Sequence, residues 1–340
     1  MSRSAPPLST PRARGARARR AAAAVAGAAV GALVTLAGGG TVAAAAPTAS
    51  VVRAASTASV ASAAQSSMRV APATVASGGS SLATTVRIPS ACRATMTVVR
   101  PDGTLAMGVV QGAKATLYST GHRLTYRPKA VAYLGNTTSR GAETDRFFVT
   151  DSRGRMHRVT VSQRTGSKTV DVTDTVVANG WGNVRLMVAT GSYLYAVTTG
   201  GSMRRYAVSA TYGLTAAGSV GSAGWGNVTS LAYGGWWRLP GGARAEDLVA
   251  VTRGGALKAF VVPRNAPAKV TQRTLVSSGW GKYRHVAAGE CTSGRSRALA
   301  AVRANGDVHA FLDGNGDDQS GADISSAGRV ATGWRGTITD

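Results

Sequence analysis

The sequence predicts an all-β fold, a five-bladed β-propeller of four-stranded antiparallel blades, and three observations predict it. The dipeptide Gly-Trp recurs at residues 180–181, 224–225, 279–280 and 333–334, a period that marks stacked units, each too small to bury its own apolar face. Five segments share one hairpin pattern: an apolar strand, a tight turn ending in glycine, and a second strand alternating apolar and polar. The two cysteines, Cys92 and Cys291, occupy matching places in the first and last of these units.

In chain order, residues 1–20 carry six arginines and no acid, and Ala21 to Ala46 carries no charge. A basic stretch, an apolar stretch and small residues ahead of Pro47 predict a secretory signal over 1–45, cut after Ala45. The alternative is an uncleaved anchor with an extracellular propeller, since the uncharged run is long enough to span a bilayer. Residues 46–80 are Ala, Ser, Thr, Val and Gly with little else, and read as a flexible linker. The propeller is expected over 81–340, with Ser81–Ile88 able to form an edge strand.

The five hairpins are 95–109, 146–161, 193–208, 247–262 and 298–313, with turn glycines Gly103, Gly154, Gly201, Gly255 and Gly306. Asp-Gly, Gly-Gly and Asn-Gly predict two-residue turns, which need positive φ; the extra residue before Gly154 predicts a looser one. After each hairpin come a variable stretch, a Gly-Trp, and a further apolar strand, as in 183–190, 227–234 and 282–289. In the first unit Gly121-His122 stands in for Gly-Trp. Four short strands per unit, repeated radially, is the propeller solution to exposed sheet edges; a solenoid would need caps, and none is evident. In a five-membered ring the first and last units are neighbours, so a Cys92–Cys291 disulfide would fasten them together.

The segment 180–206, GWGNVRLMVATGSYLYAVTTGGSMRRY, resembles the repeat of the tachylectin-2 family through Gly-Trp, an apolar strand, Leu-Tyr-Ala-Val and a glycine turn. The resemblance is best in units 2 to 4 and weakens toward both ends. It implies a five-bladed lectin binding N-acetylated amino sugars at repeated sites. Residues 245–260 and 307–318 also resemble FG-GAP or VCBS repeats, which implies a calcium-bearing adhesion or scaffold propeller with a protein partner.

Two roles are open for Trp181, Trp225 and Trp280, and for Trp334 at the equivalent position: packing between blades, or a flat face for sugar C–H groups. Asn183 and Asn227 beside them offer amide hydrogen bonds or turn geometry. Trp236 and Trp237 fall in a Gly/Pro-rich insertion, 233–247, read as a loop carrying either an aromatic platform or local packing. Asp313, Asn315, Asp317 and Asp323 have the oxygen-rich spacing of a calcium loop, without its closing Glu because Ile324 stands there; a polar solvent loop is the alternative. His157 and His309 share a repeat position, expected on an outward polar face, and no Cys/His spacing supports zinc.

No nucleophile motif is present, and a glycosidase would require Asp151, Asp247 and Glu290 to converge. The formal net charge is +24, with 33 arginines against six lysines. That charge favours anionic partners, although a high-GC genome also enriches arginine. No basic block after the signal suggests specific nucleic-acid binding. The expectation is a secreted, monomeric, non-catalytic binder of carbohydrate or an anionic cell-wall polymer. It has no required cofactor, and calcium is an open possibility.

Overall fold

A computed structural model describes residues 86–167, 169–292 and 295–338. The expected signal (1–45) and linker (46–80) lie outside the described residues. Among those described, no helix is long and apolar enough to cross a membrane.

The fold is a ring of five four-stranded antiparallel sheets. Blade 1 holds β1 (Arg93–Val99), β2 (Thr104–Gln111) and β3 (Lys114–Arg123). Blade 2 holds β4 (Pro128–Ser139), β5 (Ala142–Asp151), β6 (Arg155–Arg164) and β7 (Val170–Asn179). Blade 3 holds β8 (Val184–Ala189), β9 (Tyr193–Thr198), β10 (Met203–Val208) and β11 (Leu214–Val220). Blade 4 holds β12 (Val228–Arg238), β13 (Arg244–Thr252), β14 (Leu257–Pro263) and β15 (Thr271–Val276). Blade 5 holds β16 (Tyr283–Glu290), β17 (Arg297–Arg303), β18 (Val308–Asp313) and β19 (Ile324–Ala331). The last strand, β20 (Thr337–Ile338), returns to pair with β1 and takes the first place in blade 1, which it completes.

Strand composition follows position. The second strand of each blade is covered on both sides, so β13 and β17 are buried almost throughout and carry the apolar runs 248–251 and 298–302. The outermost β7, VDVTDTVVAN, is exposed along most of its length. Each of the five buried apolar clusters draws on two adjacent blades, so no blade has a core of its own.

All five predicted hairpins form, with one change in their turns. The turn glycines have φ between 77° and 88°, as positive-φ turns require. Each donates its N–H to the carbonyl three residues earlier, Gly103 to Arg100, Gly154 to Asp151, Gly201 to Thr198, Gly255 to Thr252 and Gly306 to Arg303. Arg100, Thr198, Thr252 and Arg303 each also bond the residue after the glycine. These are three-residue turns with a left-handed glycine, not the two-residue turns expected. The turn at Gly154 is no looser, because the Asp151 carboxylate accepts the N–H groups of Arg153 and Arg155 at 2.9 and 2.8 Å.

Cys92 and Cys291 form the expected disulfide across the junction of blades 5 and 1. Of the expected edge strand at 81–88, residues 86–88 are not in a strand, although the Val86 N–H bonds the Ser326 carbonyl at 3.3 Å.

Candidate functional site

The ring has two distinct ends. At one, each turn between second and third strands meets the link entering the next blade, through Trp181 N–H to Gly154 O, Trp280 N–H to Gly255 O and Trp334 N–H to Gly306 O, 2.9–3.0 Å. This is the turn end. The other loops of each blade gather at the opposite end, the cleft end.

The same bond in the first unit runs from Leu124 N–H to Gly103 O, 3.0 Å. Leu124, not His122, therefore holds the tryptophan position, because β3 continues through Gly121-His122 to Arg123. Trp181, Trp225, Trp280 and Trp334 are 7%, 1%, 5% and 4% exposed and belong to the clusters between blades. Each lies against the residue five positions after a turn glycine. Trp181 meets Tyr206 at 4.7 Å between ring centroids, Trp225 meets Phe260 at 4.5 Å and Trp280 meets Phe311 at 4.7 Å. Packing occupies the indole faces of Trp181, Trp225 and Trp280, which leaves them no surface for a sugar. Asn183 and Asn227 are exposed at the turn end, where their main-chain carbonyls accept the N–H groups of Thr199 and Arg253, both at 2.7 Å.

Trp236 and Trp237 lie at the cleft end, away from those residues. They are in a strand rather than a loop. β12 pairs with β13 as far as Arg238 opposite Arg244, so both tryptophans stand on a paired strand end. Trp236 is 43% exposed, with the Arg244 guanidinium 4.8 Å from its ring. Both tryptophans line a cleft of about 540 Å³ between blades 4 and 5, with Glu290, Arg295, Arg297 and Asp317. Glu290 accepts the Trp236 N–H at 3.3 Å, and Arg295 pairs with Asp317 at 3.5 Å. The floor is a buried Asp247–Arg297–Asp313 triad joining the two blades, with Arg297 Nε 2.8 Å from Asp313 and Nη1 2.5 Å from Asp247. Burial pushes both carboxyls upward against the pull of Arg297.

A second cleft of about 580 Å³ opens at the same end between blades 1 and 2. Tyr118, 57% exposed, forms one wall. Arg93, Asn136, Glu143, Asp145 and Gln163 supply polar groups above Met107, Val109 and Val161. Tyr133 donates its hydroxyl to Asp145 at 2.8 Å. Burial raises the Asp145 carboxyl, and this hydrogen bond opposes the rise.

The other junctions carry direct contacts at this end. Between blades 3 and 4, Arg264 pairs with the buried Glu246 at 2.7 Å and Arg205 lies over Tyr193. Between blades 2 and 3, Arg146 lies over Tyr212, and between blades 5 and 1 stands the disulfide.

Among the expected calcium residues, Asp313 Oδ1, Asn315 Oδ1 and Asp323 Oδ1 are buried without a hydrogen-bond partner among the described residues. Asp313 is tied to Arg297 and Asp317 to Arg295, while Asn315 and Asp323 are half-buried. Among the described residues no group of three or more His, Cys, Asp or Glu is placed to hold a metal. The three carboxylates of a hydrolase do not converge: Asp247 and Glu290 share the blade 4–5 cleft, but Asp151 is at the turn end of blade 2.

His157 is also not outward. It is 5% exposed, with Nδ1 2.8 Å from Asp174 and Nε2 3.4 Å from Asp151, and Tyr126 stacked on its ring at 3.9 Å. Burial opposes ionisation of Asp151, but hydrogen bonds from Arg155 and His157 outweigh it and lower its pKa to about 2. The readable trace of this cluster was the lone Asp at a turn start that elsewhere carries Arg or Thr. Tyr118, the most exposed aromatic, left no trace because it follows no repeat.

No family model matches this sequence, and no curated protein does. Among solved structures the chain is similar to AofleA from Arthrobotrys oligospora, with 8% identity over 71% of this chain and 88% of that one and a TM-score of 0.39. It is also similar to the fucose-specific lectin from Aleuria aurantia, with 14% identity over 72% and 76% and a TM-score of 0.38. Trypanosoma rangeli sialidase in complex with sialic acid matches with 9% identity over 73% and 48% and a TM-score of 0.38. These likenesses concern the general form of the chain only.

Proposed function

We propose that this chain is an exported, non-catalytic carbohydrate-binding propeller that takes glycan residues into the clefts between blades 4 and 5 and between blades 1 and 2. One observation carries the reading. The two aromatic side chains among the large exposed apolar groups, Tyr118 and Trp236, each line one of these clefts, at the same end of the ring. An open ring beside carboxylate, amide and guanidinium groups suits a sugar, which offers C–H faces and hydroxyls together. The family resemblance of units 2 to 4 narrows the ligand to N-acetylated amino sugars. Asn136 and Gln163 in one cleft, and Glu290 and Arg295 in the other, supply partners for an acetamido group and ring hydroxyls. Each shallow cleft binds weakly, and two clefts on one face gain from a surface that displays many copies of the ligand.

A glycan array at low and high salt, with and without calcium, tests this. Binding to N-acetylated amino sugars that survives high salt and drops in both Trp236→Ala and Tyr118→Ala supports the proposal. Binding that disappears at high salt for every glycan reduces it to surface charge. Calcium-dependent binding without sugar selectivity replaces it with an adhesion role.

A further inference from the structure

The turn end carries a second surface of opposite character. Arg100, Arg127, Arg153, Arg253, Arg284 and Arg335 are all exposed there, on the turns and entering links that the bonds to Gly103, Gly154, Gly255 and Gly306 bring together. None of the six is in an ion pair among the described residues. The few acids at this end are engaged: Asp151 with Arg155, Asp174 with His157, Asp307 with Arg329, and Asp102 with the Thr104 N–H. Most other described acids lie at the cleft end, including Glu143, Glu246, Asp247, Glu290, Asp313 and Asp317.

The neighbours of these arginines register the field. Arg185 is held below the ordinary guanidinium range by burial and then by the charge of Arg253. His285 is lowered to about 4 by burial and then by Arg284. His309 is lowered by burial, then by Arg303, with Lys282 and Arg329 adding to it and Asp307 opposing. Cations at this end therefore outnumber the acids beside them, with Asp102 facing Arg100 and Arg123.

We infer that the turn end is a docking face for a linear polyol-phosphate polymer, separate from the glycan clefts and independent of that reading. Guanidinium forks match phosphate oxygens in pairs, and a one-signed face concentrates a polyanion. The two exposed aromatics, Tyr118 and Trp236, line clefts at the opposite end. Among the described residues no aromatic at the turn end is exposed: Tyr126 is half-buried and stacked on His157, and Tyr283 is buried, which leaves little ring face for stacking bases or for anchoring in a bilayer interface. Those features favour a phosphate polymer without bases over single-stranded nucleic acid or lipid. With glycan clefts on one end and a phosphate face on the other, the ring can bridge two components of one surface.

The test compares two triple variants of equal charge change, Arg153→Glu/Arg253→Glu/Arg284→Glu at the turn end and Lys114→Glu/Arg164→Glu/Lys269→Glu at the cleft end. Binding of the full chain to poly(glycerol phosphate) is measured at two ionic strengths, beside single-stranded DNA and anionic vesicles. Thermal melting and cleft glycan binding report folding. The turn-end triple is expected to weaken polymer binding at least about tenfold, and the cleft-end triple less than about threefold. Equal losses in the two triples overturn the face assignment. Tighter binding of DNA or vesicles than of the polymer at matched salt overturns the ligand class.

Discussion

At Gly108 a missing side chain makes room for the last tryptophan of the chain. A Cβ there would stand 2.3 Å from Trp334 Cζ3. Gly108 lies five residues after Gly103, the register in which Tyr206, Phe260 and Phe311 meet their own tryptophans. Gly108→Ala is expected to destabilise by about 1–3 kcal/mol through overpacking, read by urea unfolding, and Trp334→Leu in that background should recover part of the loss. Asp151 gives a prediction with a pH sign. Its pKa is lowered from 3.8 to about 2 in the fold, so its contribution is present above about pH 4 and lost as pH falls toward 2. That contribution is about 2 kcal/mol. Asp151→Asn should flatten the acid limb of a stability–pH curve in that window, and an unchanged limb would show that the Arg155 and His157 contacts do not favour the charged form. The residues that create these effects were poorly legible, since a glycine or an aspartate in a hairpin has many reasons to be there. Only the partner strand shows which reason applies.

The elements were far more legible. Hairpin pattern and turn glycine located the second and third strand of every blade, because burial on both faces forces apolar runs and the turn forces positive φ. Two readings failed where sequence spacing and structural register diverge. The continuation of β3 moved the tryptophan-equivalent place from His122 to Leu124, and an extended β12–β13 hairpin turned an apparent loop into strand. Extended strands tolerate Gly and Trp when one face is open, and composition alone does not show that. The contrast between repeat and non-repeat tryptophans is testable. Trp225→Ala removes a 1% exposed indole between blades 3 and 4 and should cost about 3–5 kcal/mol. Trp236→Ala removes one that is 43% exposed and should change stability by less than about 0.5 kcal/mol. Paired denaturant titrations decide it. A small cost at Trp225 would mean that the Gly-Trp repeat does not hold the blades together.

For the whole molecule, the count of five and the closure of the ring could be read from Gly-Trp and the cysteine placement. The two-faced distribution of charge could not, since equivalent positions in five units become one surface only after rotation about the axis. Closure itself has two parts. β20 completes blade 1 as its first strand through a short pairing with Val98 and Val99, and the disulfide ties residues 199 apart in sequence across the same junction. A two-residue strand orders few groups, whereas a cross-link over so long a loop removes much of the freedom of the unfolded chain, worth roughly 5 kcal/mol. The disulfide should therefore dominate closure. Both cysteines are buried, 1% and 9% exposed, so brief treatment of the native protein with reductant should leave its melting temperature unchanged. Cys92→Ala/Cys291→Ala should lower it by about 10–20 °C, the shift that such a loss implies for a domain of this size. A shift of only a few degrees would place closure in β20 and the Trp334–Gly108 contact. In that case truncation before Thr337 should produce the larger loss.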